Sequence, residues 1–221
     1  MKKEKEFPQE SAEIFKKLQS EIIWLHARWI IFEQLFTNSE ERVEMLNETA
    51  SSYFFITQHA LFNDILLFLS RILDKSKLGK DENLSLEQLI THLDKDKYPD
   101  LESKMRELLG KINSLSVSLK TYRNKKLAHY DLDVALEKAE FIPKINFLEI
   151  KNILKAIREF MNEYEIYFLN SDTAYDYYFS MTADGKALIN KLKKAHAYEE
   201  LEKQGLIEKG YWHRKSKYKT I

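Results

Sequence analysis

The fold class is decided by the most apolar run of the chain, which reads FFITQHALFNDILLFLSRIL from Phe54 to Leu73. Polar side chains interrupt this run at Gln58, His59, Asn63, Asp64 and Arg71. Because a lipid-facing helix tolerates few such groups, the run is too polar to span a membrane. It is typical of a helix buried in a protein core, and we predict that it forms the central helix of the fold.

Helical periodicity continues on both sides of this run. Between Ser11 and Phe36, apolar residues recur every three or four positions, at Ile14, Leu18, Ile22, Leu25, Trp29, Phe32 and Phe36. The same spacing predicts helices over 43–72 (with a bend at Ser51-Ser52), 86–93, 101–122 and 146–169, and a helical region over 175–205. Residues 112–119 also alternate apolar and Ser residues, as a strand would. The three-four series on either side favours a helix there too.

Glycine and proline are scarce, with five and three copies in 221 residues, which favours long uninterrupted helices. We therefore predict an all-α fold. An up-and-down helical bundle would occupy residues 1–170, and a C-terminal helical extension with a basic tail would occupy 171–221. Locally, Ser85 and Gln88 predict a capping box, and Pro99 predicts the start of a helix.

Several function classes are excluded or disfavoured by composition. The chain has no cysteine, so disulfides and thiolate metal sites are excluded. This suits a reducing cytoplasm, where we expect the protein, and the charged N-terminus lacks the apolar core of a signal peptide. No Gly-rich phosphate loop, paired-His metal motif or Ser/His nucleophile pattern is present. We predict no metal, no cofactor and no membrane partner.

A basic island lies within this neutral chain, whose Lys and Arg balance its Asp and Glu. From Leu108 to Tyr130 no acidic residue occurs, while the span carries Lys111, Lys120, Arg123, Lys125 and Lys126. Local cationic clusters are expected where phosphates are held, because phosphate neutralisation supplies most sequence-independent affinity for nucleic acids. The alternative interpretation is a solvated cationic surface.

The candidate catalytic groups lie at the end of this island, in the segment YRNKKLAHYDLD from Tyr122 to Asp133. Arg123 offers a guanidinium that grips phosphate oxygens in pairs, and His129 offers an imidazole that exchanges protons near neutrality. On an ideal α-helix these two positions point about 120° apart. A single site therefore requires the helix to end near Ala128 or a second copy to supply the facing groups. The alternative is that both cations only cap a helix C-terminus.

The Arg123 to His129 spacing, with Asn124 after the arginine, resembles the Arg-to-His signature of the HEPN superfamily. The sequence RNKKLAH over 123–129, with Asp131 two residues after His129, is more specifically similar to the abortive-infection AbiU-type branch. A second similarity lies upstream, in LSRILD over 69–74 followed by ENLSL over 82–86. The resemblance covers roughly 24–168.

This resemblance implies a homodimeric, metal-independent endoribonuclease or toxin-like antiphage effector on a HEPN-like bundle. His129 would act as general acid/base, Arg123 would hold the scissile phosphate, Asn124 would orient phosphate or imidazole, and Asp131 would fix the His tautomer. RNA and a second copy of the chain are the implied partners. Some HEPN toxins silenced by a partner carry a Tyr two residues after the His. Asp131 takes that place here, so no antitoxin is implied.

Further contacts with RNA are predicted for Lys120, Lys125 and Lys126. On the central helix, Arg71 and Asp74 are spaced to form a helix-end ion pair. Alternatively, Asp64 and Arg71 would lie beneath the Arg123/His129 site and contact the residues that form it. A rival function belongs to a different class: a non-catalytic helical module that binds RNA, nucleotide or protein and keeps the Arg/His pair as a phosphate grip.

Overall fold

The computed structural model describes residues 7–37, 39–128, 132, 136, 143–177 and 184–217. Within this part of the chain the helices are α1 (Gln9–Phe36), α2 (Glu40–Ile72), α3 (Leu86–Thr91), α4 (Pro99–Leu115), α5 (Val117–Tyr122), α6 (Phe147–Leu169), α7 (Gly185–Lys203) and α8 (Tyr211–Lys215). A π-helical turn, Arg123–Ala128, directly follows α5. The only described strands are β1 (Lys77–Leu78) and β2 (Asp81–Glu82), paired antiparallel. The predicted all-α class is confirmed.

Contacts within the chain group the described residues into two compact units. The first unit comprises those of 1–30 and 58–178, and the second comprises those of 31–57 and 179–221. Helices α1 and α2 therefore each contribute residues to both units. The proposed boundary between residues 170 and 171 stays a prediction.

The first unit has buried apolar residues on α1, α2, α4 and α6. In α1 these include Leu18, Ile22, Leu25 and Trp29 of the predicted three-four series, and α4 packs against α6. The apolar run over 54–73 is buried in its C-terminal half, at Ile65, Leu66, Leu69, Ile72 and Leu73. Each such side chain contributes roughly 1.5–3 kcal/mol by leaving water. This part of α2 is therefore buried as predicted, and its position at the centre of the fold stays a prediction.

The second unit contains the other half of α2, where the helix kinks at Ala50. The predicted bend at Ser51-Ser52 is thus displaced by one residue. Beyond the kink Phe54 is buried, but Phe55 and Ile56 are 61% and 65% exposed. Helix α7 begins at Gly185 and not at Tyr175 as predicted, since residues 175–177 are not helical. Its N-cap is Asp184, whose carboxylate accepts from Ala187 N at 3.0 Å and from Gln34 Nε2 at 2.9 Å.

A short hairpin after α2 turns the chain back toward α3, with Gly79 in the left-handed region at φ 65°. Ser76 is held on both sides, because its amide donates to Glu87 Oε2 at 2.6 Å and its carbonyl accepts from Gln88 Nε2 at 3.0 Å. The predicted Ser85–Gln88 capping box is therefore wrong. Ser85 makes no side-chain cap, and the amide that should have completed the box is used to fix Ser76.

Helices α4 and α5 replace the single helix predicted over 101–122. The break is at Ser116, whose hydroxyl donates to the carbonyl of Ile112 at 2.7 Å. Residues 112–119 are helical on both sides of it, so the helical interpretation is correct, and Pro99 begins α4 as predicted. None of the described helices is long and apolar enough to cross a membrane.

Candidate active site

Arg123 is the first residue of the π-helical turn that follows α5. Such turns are rare in proteins and frequently coincide with functional sites, because the wider ring of backbone hydrogen bonds redirects the side chains it carries. The Arg123 side chain is 33% exposed, so its guanidinium is accessible from solvent while its stem is packed. The candidate phosphate-binding group therefore lies where the regular helix ends.

The Arg123 guanidinium has two described partners. Its Nη2 lies 3.4 Å from Asp74 Oδ2, just beyond the end of α2, and its Nη1 donates to Asn124 Oδ1 at 3.2 Å. Asp74 is 38% exposed, so water screens the pair on both sides. These contacts orient the guanidinium without removing it from solvent, as a group that must still bind an external anion requires.

A cavity of about 180 Å³, hereafter the Arg123 cavity, opens beside this ion pair. The α5 side contributes Lys120, Arg123 and Asn124. The end of α2 and the residue after it contribute Ser70, Leu73, Asp74 and Lys75. The cavity lining thus carries three cationic side chains and one carboxylate. The Ser70 hydroxyl is used within α2, where it donates to the carbonyl of Leu66 at 2.8 Å. The net positive charge suits a phosphate group.

The segments that carried the family resemblance converge here. Ser70, Leu73 and Asp74 come from LSRILD, and Arg123 and Asn124 come from RNKKLAH. The third segment, ENLSL, places Asn83 and Leu84 in an adjoining cavity that also includes Asp74. Segments far apart in sequence thus meet around one carboxylate.

The family model described as AbiU2 (HEPN_AbiU2) matches residues 8–198. The chain belongs to the AbiU2 family of HEPN domains. No curated protein and no solved structure matches it. The match extends beyond the region of predicted resemblance and includes most of α7, so the AbiU2 unit spans nearly the whole described chain.

The lysines of the basic island differ in the contacts that their side chains already make. Lys111 forms an ion pair with Glu159 on α6 at 2.7 Å, which lowers the pKa of that carboxyl, so Lys111 serves the fold. Lys120 donates to Asn113 Oδ1 at 2.8 Å within the wall of the Arg123 cavity. Lys126 lies over the Tyr122 ring at 5.4 Å, and Lys125 is exposed. The island is therefore partly structural and partly available to a ligand.

Asp64, Arg71 and Asp74 make contacts other than the predicted ones. Asp74 pairs with Arg123, so the predicted Arg71–Asp74 ion pair is wrong, because Arg71 points instead to a second cavity. Asp64 pairs with Arg28 of α1 at 3.3 Å, and the Arg28 guanidinium lies 5.0 Å from the centre of the Phe68 ring. Neither Asp64 nor Arg71 lines the Arg123 cavity.

His129 and Asp131 lie outside the described residues, and their predicted roles stay predictions. The sequence interpretation missed Asp74 as the partner of Arg123, together with Ser70 and Lys75. The sequence did contain a signal, because Asp74 is the last residue of LSRILD, one of the segments that carry the family resemblance. Among the described residues no group of His, Asp or Glu is arranged to hold a metal ion.

The Arg123–Asp74 pair should add little to stability. Both side chains are about one-third exposed, and screened pairs of this kind typically contribute less than about 1 kcal/mol. We expect Asp74→Ala to change the free energy of unfolding by no more than that, as measured by urea denaturation. A loss above about 2 kcal/mol would contradict this, because it would show that the pair behaves as a buried one.

Proposed function

We propose that this AbiU2 protein is a metal-independent endoribonuclease acting as a toxin-like antiphage effector in the cytoplasm. The observation that carries the proposal is that Arg123 lines a cationic cavity within a HEPN domain. Arginine and lysine side chains there supply charge stabilisation for a phosphodiester, and the His129 imidazole supplies proton transfer. Charge stabilisation and proton transfer are the two functions that RNA cleavage by attack of the 2′-hydroxyl requires.

In the proposed reaction the 2′-hydroxyl of the substrate attacks the adjacent phosphorus. The O2′–P bond forms and the P–O5′ bond breaks. His129 either takes the proton from the 2′-oxygen or delivers one to the leaving 5′-oxygen, and Arg123 stabilises charge on the non-bridging oxygens. Water makes the other of these two proton transfers, so the proton lost at the 2′-oxygen is matched by one gained at the 5′-oxygen. The products are a 2′,3′-cyclic phosphate and a 5′-hydroxyl. Asp131 would fix the His129 tautomer in this scheme.

In this scheme Asp74 and Asn124 are positioning residues, and their contacts with Arg123 support this. Asp74 holds one edge of the Arg123 guanidinium, and Asn124 accepts from the other nitrogen through Oδ1. Because arginine presents a rigid fork of donors, fixing it in advance reduces the entropy lost when phosphate binds. Lys120 and Lys75 then neutralise flanking phosphates, and exposed Lys125 and Lys126 extend the cationic surface.

We further propose that two copies act together. The HEPN resemblance implies this arrangement, in which a second copy facing the first places an arginine from one chain beside a histidine from the other. RNA and a second copy are then the partners, and no antitoxin is required by the residues around His129. The rival function, a binding module without cleavage, would use the same cavity as a phosphate grip.

The test of function is an incubation of the purified wild-type protein with total RNA in excess EDTA. We expect fragments that end in a cyclic phosphate and begin with a 5′-hydroxyl, detected by end-specific labelling. A parallel purification from cells carrying the empty vector controls for contaminating nuclease. Intact RNA accompanied by salt-sensitive RNA binding would replace the nuclease with the binding module.

A further inference from the structure

A second cavity, hereafter the Arg71 cavity, adjoins the Arg123 cavity and has about 290 Å³ of space. This is near the lower end of the range of about 300–1,000 Å³ that is typical of small-ligand sites. Asp74 lines both cavities, so whatever occupies the second lies next to whatever Arg123 holds. The proposed nuclease function leaves the Arg71 cavity without a role.

One part of its lining is apolar. Phe68 and Ile72 project from α2, and Leu84 comes from the segment between the hairpin and α3. The Phe68 ring is supported by the guanidinium of Arg28 at 5.0 Å, and Arg28 is held in turn by Asp64 at 3.3 Å. A supported aromatic ring beside aliphatic side chains provides the kind of surface on which an unstacked nucleobase is held.

The remaining lining is polar and carries both donors and acceptors. Arg71 is exposed and has no hydrogen-bond or ion-pair partner among the described residues, so its donors are available. Glu21 uses Oε1 for Lys17 at 2.8 Å, and Asp74 uses Oδ2 for Arg123 at 3.4 Å. The second oxygen of each carboxylate remains to accept from a ligand.

The orientation of Asn83 follows from its own hydrogen bond. Its Nδ2 donates to the carbonyl of Lys75 at 3.0 Å, so its Oδ1 is left as an acceptor. The backbone amide of Asn83 also donates to the carbonyl of Ser76 at 2.8 Å, which holds this residue at the cavity. The cavity therefore offers one strong paired donor, Arg71, together with several oxygen acceptors.

Among the RNA bases, guanine matches this set of groups best. Its O6 and N7 acceptors take paired hydrogen bonds from an arginine, and its N1 and N2 positions donate side by side to carboxylate or amide oxygens. Adenine and cytosine each offer a single amino donor group, and uracil offers one N–H between two carbonyls. Resting on the proposed ribonuclease function, we propose that the Arg71 cavity binds a guanine base adjacent to the scissile phosphate.

The test measures binding rather than cleavage, so that its outcome does not depend on nuclease activity. The probes are fluorescent 2′-O-methyl octanucleotides, one of uridines only and one with a single central guanosine. Methylation of the 2′-oxygen blocks internal attack. We expect wild-type protein to bind the guanosine probe about tenfold more tightly by fluorescence anisotropy, the discrimination that one paired arginine contact supplies.

Arg71→Ala should abolish this preference while changing affinity for the uridine probe by less than about twofold. Arg71→Lys should not restore it, because an ammonium cannot make the paired contact. Arg106→Ala is the matched control, since Arg106 is a surface arginine paired with Glu102 on α4. Equal binding of both probes by wild type would overturn the proposal. So would an Arg71→Ala protein that loses the same factor on both probes, because Arg71 would then be a phosphate contact.

The two proposals can fail separately. Guanosine preference without RNA cleavage would retain the base site and remove the nuclease. Cleavage in EDTA without guanosine preference would retain the nuclease and remove the base site.

Discussion

Arg123→Ala is expected to lower kcat/KM for RNA cleavage by about 10²- to 10³-fold, the usual effect of removing one group that stabilises transition-state charge. Arg123 is the described residue that presents a paired donor to the cationic cavity. Its loss should also weaken RNA binding and reduce the salt dependence of that binding, because one phosphate contact disappears. Single-turnover cleavage in EDTA and anisotropy with an uncleavable RNA would measure these effects.

His129→Ala should give a different pattern from Arg123→Ala. Removal of a general acid/base lowers the cleavage rate by about 10²- to 10⁴-fold, and we expect RNA affinity to be retained because the role assigned to His129 is proton transfer rather than phosphate binding. Arg123→Lys should recover affinity but not rate, since the charge returns without the fork.

Arg106→Ala controls for nonspecific loss of positive charge and should cleave like wild type. If Arg123→Ala retains full activity, the Arg123 cavity is not the catalytic site. If His129→Ala loses its helical circular dichroism signal, His129 is structural and the proton-transfer role fails.

Between neutrality and pH 4, we expect the protonation of His26 to account for most of the change in the free energy of unfolding. This residue of α1 is only 3% exposed, packs 6.2 Å from the Tyr175 ring, and its Nε2 has no hydrogen-bond partner among the described residues. Burial lowers the pKa of His26 to about 4, and the nearby Arg158 charge acts in the same direction while Asp176 opposes it. The folded protein therefore keeps this imidazole neutral.

In the unfolded chain the same imidazole takes up a proton near its ordinary pKa of about 6.5. Between that value and the folded pKa the unfolded state binds more protons, so stability rises with pH across this interval. Full stability is present above about pH 6.5, and about 3 kcal/mol is lost as the pH falls to about 4. Urea denaturation at a series of pH values would measure the loss.

The measurement compares His26→Gln with wild type, because carboxylates also titrate near pH 4 and their contribution cancels in the difference. The variant cannot be protonated, so its curve should be flatter by about the same 3 kcal/mol. His59→Gln provides the control, since His59 is an exposed histidine on α2. Parallel curves for wild type and His26→Gln would show that His26 is not buried as a neutral group.

The sequence by itself determined the helical class and most helix positions. Three-four spacing of apolar residues is a local property, and it survives in any packing that buries one face of a helix. Local end signals were less dependable, even where the partners are close in sequence. Pro99 begins α4 as predicted, but the predicted Ser85–Gln88 capping box does not form. The resemblance to the AbiU-type branch was readable, because its motifs are contiguous.

Only the tertiary structure decided which polar groups are partners. Arg71 was the near choice for Asp74 by helical spacing, yet Asp74 pairs with Arg123, 49 residues away. Gln88 likewise leaves its local cap to hold Ser76. A short-range pattern states which groups can meet within one helix, whereas packing determines which other segment arrives beside them. The end of α2 is brought against α5 by the burial of apolar side chains. That burial, rather than any local spacing, creates the two cavities that meet at Asp74.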